Sequence, residues 1–188
     1  MFMVGVDEVG RGCWAGPLLV VSALQVAALP DGLTDSKLLT RLKREALFIK
    51  LRKNCKFGEG WVSPPEIDKY GLAKALRIGG ARALKNLGVN FSDEILLDGR
   101  HNYLPKVYTN TSSIVDADKR YGIVSAASIY AKVTRDEFMR KLAQKHPEFG
   151  FENHVGYGTA AHRAALETLG VLKSVHRLSF KPIMELAK

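Results

Sequence analysis

The sequence is poor in cysteine, in acid and in long apolar runs. Two cysteines in 188 residues, Cys13 and Cys55, cannot build a disulfide framework, and neither has metal-ligand spacing. Both are expected to be reduced thiols, which points to a cytoplasmic protein. The start, Met1 to Glu8, has neither a basic segment nor an apolar run, so no signal peptide is read there. No stretch reaches the ~18 apolar residues of a membrane span, and no membrane partner is expected. Repeats, low-complexity tracts and linkers are also missing, so residues 1–188 read as a single domain. Acid is the scarcer charge: 28 Lys and Arg against 19 Asp and Glu give a formal net charge of +9. A domain this basic points to a polyanionic partner, most commonly nucleic acid. The alternative is a basic protein whose charge serves only solubility.

What is present is concentrated first in residues 4–17. Val4 and Val6 end a buried strand, Asp7 and Glu8 sit at its tip, and Gly10-Arg11-Gly12 makes a turn. The turn sets backbone N–H groups and one cation beside two carboxylates. Neighbouring acids repel, so such a pair calls for a positive partner, and a divalent metal fits. A phosphate could then bridge the metal, the Arg and the glycine amides. Two other readings compete. Gly10-x-Gly12-x-x-Ala15 fits a dinucleotide loop loosely, but Gly16-Pro17 sits where the helix of that motif should run. A solvated hairpin with charges at its tip is the other.

The rest of the chain alternates strand and helix patterns. Strands are predicted at about Met3–Asp7, Leu18–Leu24, Phe57–Val62 and Glu94–Asp98, with a further short one at Val107–Tyr108. Thr40 is read as the N-cap of a helix to about Lys53. Ser63-Pro64-Pro65-Glu66 combines an N-cap, a first-turn Pro and a capping-box Glu. That helix runs to about Tyr70. Leu72–Leu87 is a longer helix closed by Gly88, and Gly79-Gly80 inside it predicts close packing there. Val124 to Lys145 is the most helix-like stretch. It opens on Ser125-Ala126-Ala127-Ser128, whose small side chains allow close approach of a sheet or ligand. A Gly-rich aromatic loop spans Phe149–Thr159, and a last helix runs from about Thr159 to Leu169. The fold class is α/β: a mixed β-sheet flanked by α-helices, with a helical C-terminal part over about residues 159–188.

Acids recur at strand ends: Asp7 and Glu8, then Asp98 before Gly99, then Asp116 and Asp118 after Ile114-Val115. An acid just past a buried strand is a recurrent site position in open α/β sheets, although Asp-Gly is also a common turn. Oxygen ligands of this kind suit Mg²⁺ or Mn²⁺, and two metals sharing carboxylates can cleave a phosphodiester. In a regular strand Asp7 and Glu8 face opposite ways. Gathering both at one site is therefore expected to need a backbone twist at the glycine turn.

Asp7-Glu8-Val9-Gly10-Arg11-Gly12 closely resembles the ribonuclease HII family, the type 2 ribonucleases H. The related ribonuclease HIII typically lacks the Arg. Cys13-Trp14 departs from the Pro-rich continuation common in the family. Asp35-Ser36-Lys37, Asp118 through Ser128, Ile129 through Asp136, and His154 with Gly156-Tyr157-Gly158-Thr159 resemble further family motifs, so the likeness runs from Val4 to about Phe180. Spacing to the Ser-Ala-Ala-Ser helix selects Asp118 over Asp116 as the family's last carboxylate. The resemblance implies a ribonuclease H-like domain with Asp7, Glu8, Asp98 and Asp118 as catalytic and metal-binding residues, and a two-metal mechanism with Mg²⁺ or Mn²⁺. It implies an endonuclease on RNA–DNA hybrids and on single ribonucleotides embedded in duplex DNA. Cleavage falls on the 5′ side and leaves a 3′-hydroxyl and a 5′-phosphate. Gly10, Arg11, Gly12, Lys37, Ser125 and Tyr157 would bind substrate, Tyr157 lying against the sugar of the next nucleotide. A monomer is expected. A nuclease-like fold used only for binding would lack one of the acids, and none is missing.

Overall fold

The computed structural model describes residues 2–186; Met1, and Ala187 and Lys188 at the end of the expected C-terminal segment, lie outside it. Five strands form one sheet: β1 (Met3–Val9), β2 (Leu18–Gln25), β3 (Cys55–Val62), β4 (Glu94–Asp98) and β5 (Thr111–Ile114). Their order is β3-β2-β1-β4-β5. The first three pair antiparallel, whereas β4 lies parallel to β1 and β5 parallel to β4. The sheet is mixed, as the sequence predicts. The expected strand at Val107–Tyr108 is instead a turn, closed by Tyr108 N–H on the Pro105 carbonyl. The fifth strand falls later, on Thr111-Ser112-Ser113-Ile114, at a half-exposed sheet edge that gives its sequence no apolar pattern.

Helices α1 (Arg41–Asn54), α2 (Pro64–Tyr70) and α3 (Leu72–Leu87) precede β4. The short α4 (Ala117–Arg120) and the long α5 (Gly122–Lys145) follow β5. After a 3₁₀ turn at Pro147–Phe149 come α6 (Phe151–His154), α7 (Ala160–Leu169) and α8 (Lys181–Leu186). Thr40 Oγ1 caps α1 by accepting from Lys43 N–H at 3.3 Å. Glu66 Oε2 accepts from Ser63 N–H at 2.9 Å, completing the capping box of α2.

Strand alternation sorts the core onto two faces. Leu19, Val21, Ala23 and Leu96 pack against α1 and α5, while Val4, Val6, Val20 and Leu97 pack with Ala83 and Leu84 of α3. Glycines set both helices close. A Cβ on Gly5 would strike the Ile123 carbonyl of α5, and one on Gly60 would strike the Gly79 carbonyl of α3. A Cβ on Gly79 would itself meet the Val20 side chain of β2, which accounts for a glycine inside this helix despite its low helix propensity. The C-terminal helices form a third cluster around Phe149, Phe151, Met139 and Ile183. Its link to the sheet is the Trp14–Ala15 segment, whose N–H groups donate to the Gly156 carbonyl at 2.8 and 3.2 Å.

Candidate active site

The parallel pairing of β1 with β4 matches Val6 to Leu97, so one further step sets Asp7 beside Asp98 at adjacent strand tips. Both lie on the α5 face by alternation. Asp98 Oδ1 accepts the Ala117 N–H at 2.8 Å and so ties α4 to β4. That contact brings Asp118, in the first turn of α4, over the strand tips. Oxygens of Asp7, Asp98 and Asp118 all lie within 4.8 Å of one another, the one such acidic group found among the described residues. Asp116 turns away, in a left-handed backbone conformation, and pairs with exposed Lys119 at 3.0 Å.

The electrostatics are those of buried, crowded acids. Burial raises the Asp7 carboxyl well above the usual range, and the charges of Glu8 and Asp98 add to this. Burial, then Asp35 and Asp98, push Asp118 up to about 6, with Lys37 pulling the other way. Three oxygen donors, two of them held protonated more strongly than usual, form a set that a hard divalent cation would relieve. Asp7, Asp98 and Asp118 therefore fit a metal ion.

Glu8 is separate from this triad. β1 stays a regular strand through Val9, so the expected twist is absent and Glu8 points to the α3 face. There Tyr103 donates its hydroxyl to Oε2 at 2.9 Å and Arg11 Nη1 meets Oε1 at 3.0 Å. Desolvation, followed by the Glu8 and Asp7 charges, raises the Tyr103 hydroxyl well above its ordinary range, so it stays a donor. Glu8 nonetheless reaches the rim of the same cavity of about 400 Å³ that Asp7 and Asp98 line.

Gly10, Arg11, Gly12, Lys37 and Tyr157 also line that cavity. Ser125 does not: its buried hydroxyl donates to the Asp118 carbonyl inside the α4–α5 corner, so it braces a backbone instead of facing the opening. Ser128, one turn on, lines the cavity and donates to Ser36 Oγ at 3.0 Å. Ser36, Ser128 and Lys132 are cavity residues that the sequence reading did not select, and Asp35 and Tyr103 act just behind them. The Asp35-Ser36-Lys37 motif and the final Ser of Ser-Ala-Ala-Ser carried a signal for the serines. Tyr103 sits in irregular chain with no pattern to mark it.

Two buried guanidinium groups hold the glycine turn and the segment that follows it. Arg135 donates to the carbonyls of Pro17 at 2.8 Å, Val155 at 2.9 Å and Ala15 at 3.2 Å. Arg177 donates to Gly16 and Arg11, each at 3.0 Å. Gly10, at φ 89°, lies against Arg135 where a Cβ would collide. The fully buried Cys13 thiol donates to the Val155 carbonyl at 3.7 Å, and Trp14 covers Gly158. The Cys13-Trp14 departure thus packs the turn against the loop bearing Tyr157. That ring remains 40% exposed at the cavity mouth.

A mixed five-stranded sheet with carboxylates on its two central parallel strand tips defines the ribonuclease H class of nucleases. The family model described as Ribonuclease HII matches residues 4–183, and the chain belongs to that family. It is 43% identical over 180 residues to a Ribonuclease HII of Streptomyces avermitilis, covering 95% of this chain and 76% of that one. It is 40% identical over 188 residues to a Ribonuclease HII of Coxiella burnetii, covering 99% and 91%. Its fold matches the Archaeoglobus fulgidus chain from a solved PCNA–RNase HII complex, with TM-score 0.77, 26% identity and 94% of each chain covered. The protein is a ribonuclease H, an endonuclease of a family acting on RNA–DNA hybrids.

Proposed function

We propose that this chain cleaves the RNA strand of RNA–DNA hybrids and also the 5′ side of a single ribonucleotide embedded in duplex DNA, leaving a 3′-hydroxyl and a 5′-phosphate. Its role would be ribonucleotide removal during DNA replication and repair. The observation that carries this is one cavity lined by Asp7 and Asp98, which cluster with Asp118, and by Gly10-Arg11-Gly12 and Tyr157. Asp7, Asp98 and Asp118 would hold Mg²⁺ or Mn²⁺, with Glu8 at the edge of the same site. Bound divalent ions supply an activated water near neutral pH and charge to offset the leaving 3′-oxygen. Arg11 and the turn amides receive a phosphate, and the turn is held by Arg177 on the Arg11 carbonyl, with Arg135 on the Ala15 and Pro17 carbonyls just beyond it. Tyr103 and Arg11 fix the Glu8 carboxylate in one orientation. The 2′-hydroxyl is the group that separates RNA from DNA, and it would lie between the turn and Tyr157.

The test is cleavage of a duplex carrying one ribonucleotide, with and without Mg²⁺ or Mn²⁺. Incision 5′ of the ribonucleotide only with metal is expected, and no incision with either metal overturns the proposal. Tyr157→Ala should lower kcat/KM on that substrate by about 10- to 100-fold, as loss of a ring contact of about 1–3 kcal/mol implies. A long hybrid, with many phosphate contacts in register, should lose less. Equal losses on both would make Tyr157 a general structural residue.

A further inference from the structure

Behind the loop bearing Tyr157 lies a buried cluster of three histidines, His154, His162 and His176. His154 and His162 stack with centroids 4.4 Å apart, and Phe149 and Phe151 close the sides. The hydrogen bonds leave one arrangement of protons. Leu172 N–H donates to His176 Nδ1 at 2.9 Å, so that ring carries its proton on Nε2. His176 Nε2 faces His162 Nε2 at 3.2 Å, so the second nitrogen accepts. His162 then carries its proton on Nδ1, which lies 2.9 Å from the Tyr157 carbonyl oxygen. His154 meets the loop from the other side: its Nδ1 accepts the Gly156 N–H at 3.2 Å and its Nε2 donates to the Phe149 carbonyl at 3.0 Å.

The loop needs such support. Val155, a β-branched residue, sits at φ 43° and Gly156 at φ 88°, so no regular backbone ladder runs through it. Tyr157 N–H donates to the His154 carbonyl, and Thr159 N–H to the Tyr157 carbonyl, each at 2.9 Å. We propose that His176 and His162 form a neutral relay of fixed tautomers whose last N–H anchors Tyr157, making both positioning residues for ribonucleotide discrimination. The inference rests on the reading of Tyr157 given above. His154 and His146 are the ionisable neighbours of the two rings, with Arg163 beyond Trp14 and Cys13 and Arg135 across the loop. A proton added to either ring would set two N–H groups face to face. Burial withholds that proton, holding His162 and His176 each at about 4.

Long-range ¹H–¹⁵N spectra of the imidazoles in the whole chain test this without a substitution. The expected result is His162 protonated on Nδ1 and His176 on Nε2, unchanged from about pH 8 to about pH 5. His162 protonated on Nε2, or either ring cationic at neutral pH, overturns the relay. His162→Phe keeps the ring packing and deletes the donor, while His162→Asn returns a donor near the Nδ1 position. In His162→Phe the Tyr157 and Thr159 amides should exchange at least about 10-fold faster, with β1 amides unchanged, and His162→Asn should restore protection. Unchanged exchange in His162→Phe overturns the proposal; if that variant does not fold, the tautomers decide. His162→Phe should also lose more activity on a single ribonucleotide than on a long hybrid. If Tyr157→Ala is selective and His162→Phe is not, the relay fails while the reading of Tyr157 stands. If Tyr157→Ala is itself unselective, that reading fails, and the spectra and exchange still decide whether the relay anchors the loop.

Discussion

Asp98 does two things with one side chain: it holds α4 through the Ala117 amide and adds charge to a crowded acidic site. Asp98→Asn keeps the acceptor and removes the charge. The metal-free variant should therefore melt no lower than the wild type, while cleavage at saturating Mg²⁺ falls by at least about 100-fold. Wild-type turnover would remove Asp98 from the site. Asp118→Asn should behave alike, whereas Asp116→Asn should stay within about 2-fold, because its partner is an exposed lysine. The reverse order would show Asp116 to be the functional acid. These residues differ in how far the sequence exposed them. Asp98 announces itself as an acid and a glycine closing an apolar run. Asp118 was separable from Asp116 only by its distance from the following helix. Asp35, whose charge raises Asp118, comes from a loop far away in sequence, and no local pattern records that meeting.

The elements around the site are placed by backbone proximity. α5 can lie on β1 only because Gly5 has no side chain, and the corner of α4 and α5 then delivers Asp118. Gly5→Ala should lower stability by about 1–3 kcal/mol in urea unfolding, since the Ile123 carbonyl must move. An unchanged midpoint would mean that α5 shifts freely. Caps and apolar periods made most elements legible: Thr40, Ser63 and Gly88 mark helix ends where the structure has them. β5 was not legible, because an edge strand of threonine and serine buries too little to need an apolar period. The opposite facing of Asp7 and Glu8 follows from simple alternation, and the twist expected at the glycine turn is not needed, because Glu8 reaches the rim of the cavity from the other face.

Over the whole molecule the net charge of +9 should make substrate binding strongly dependent on salt. If about six phosphates are neutralised, affinity falls on the order of 10³-fold between about 50 and 200 mM salt. Arg11, Arg77 and Arg100 line a hollow of about 480 Å³ that adjoins Asp98. Arg77→Ala with Arg100→Ala should flatten the salt slope by about two, and an unchanged slope would place the phosphate track elsewhere. The two cysteines, of no use as ligands or crosslinks, divide the molecule in a different manner. Cys13 closes the turn onto the Val155 carbonyl, whereas Cys55 lies under α1 in β3, its thiol pushed up to about 11 by burial. Alkylation of each must wait for a different event: parting of turn and loop for Cys13, loss of the sheet for Cys55. In native buffer Cys13 should therefore label first, by mass spectrometry, and a bound uncleavable hybrid should slow it alone. The labelling half-time of one buried sulfur becomes a clock for how often the glycine turn and the loop bearing Tyr157 part.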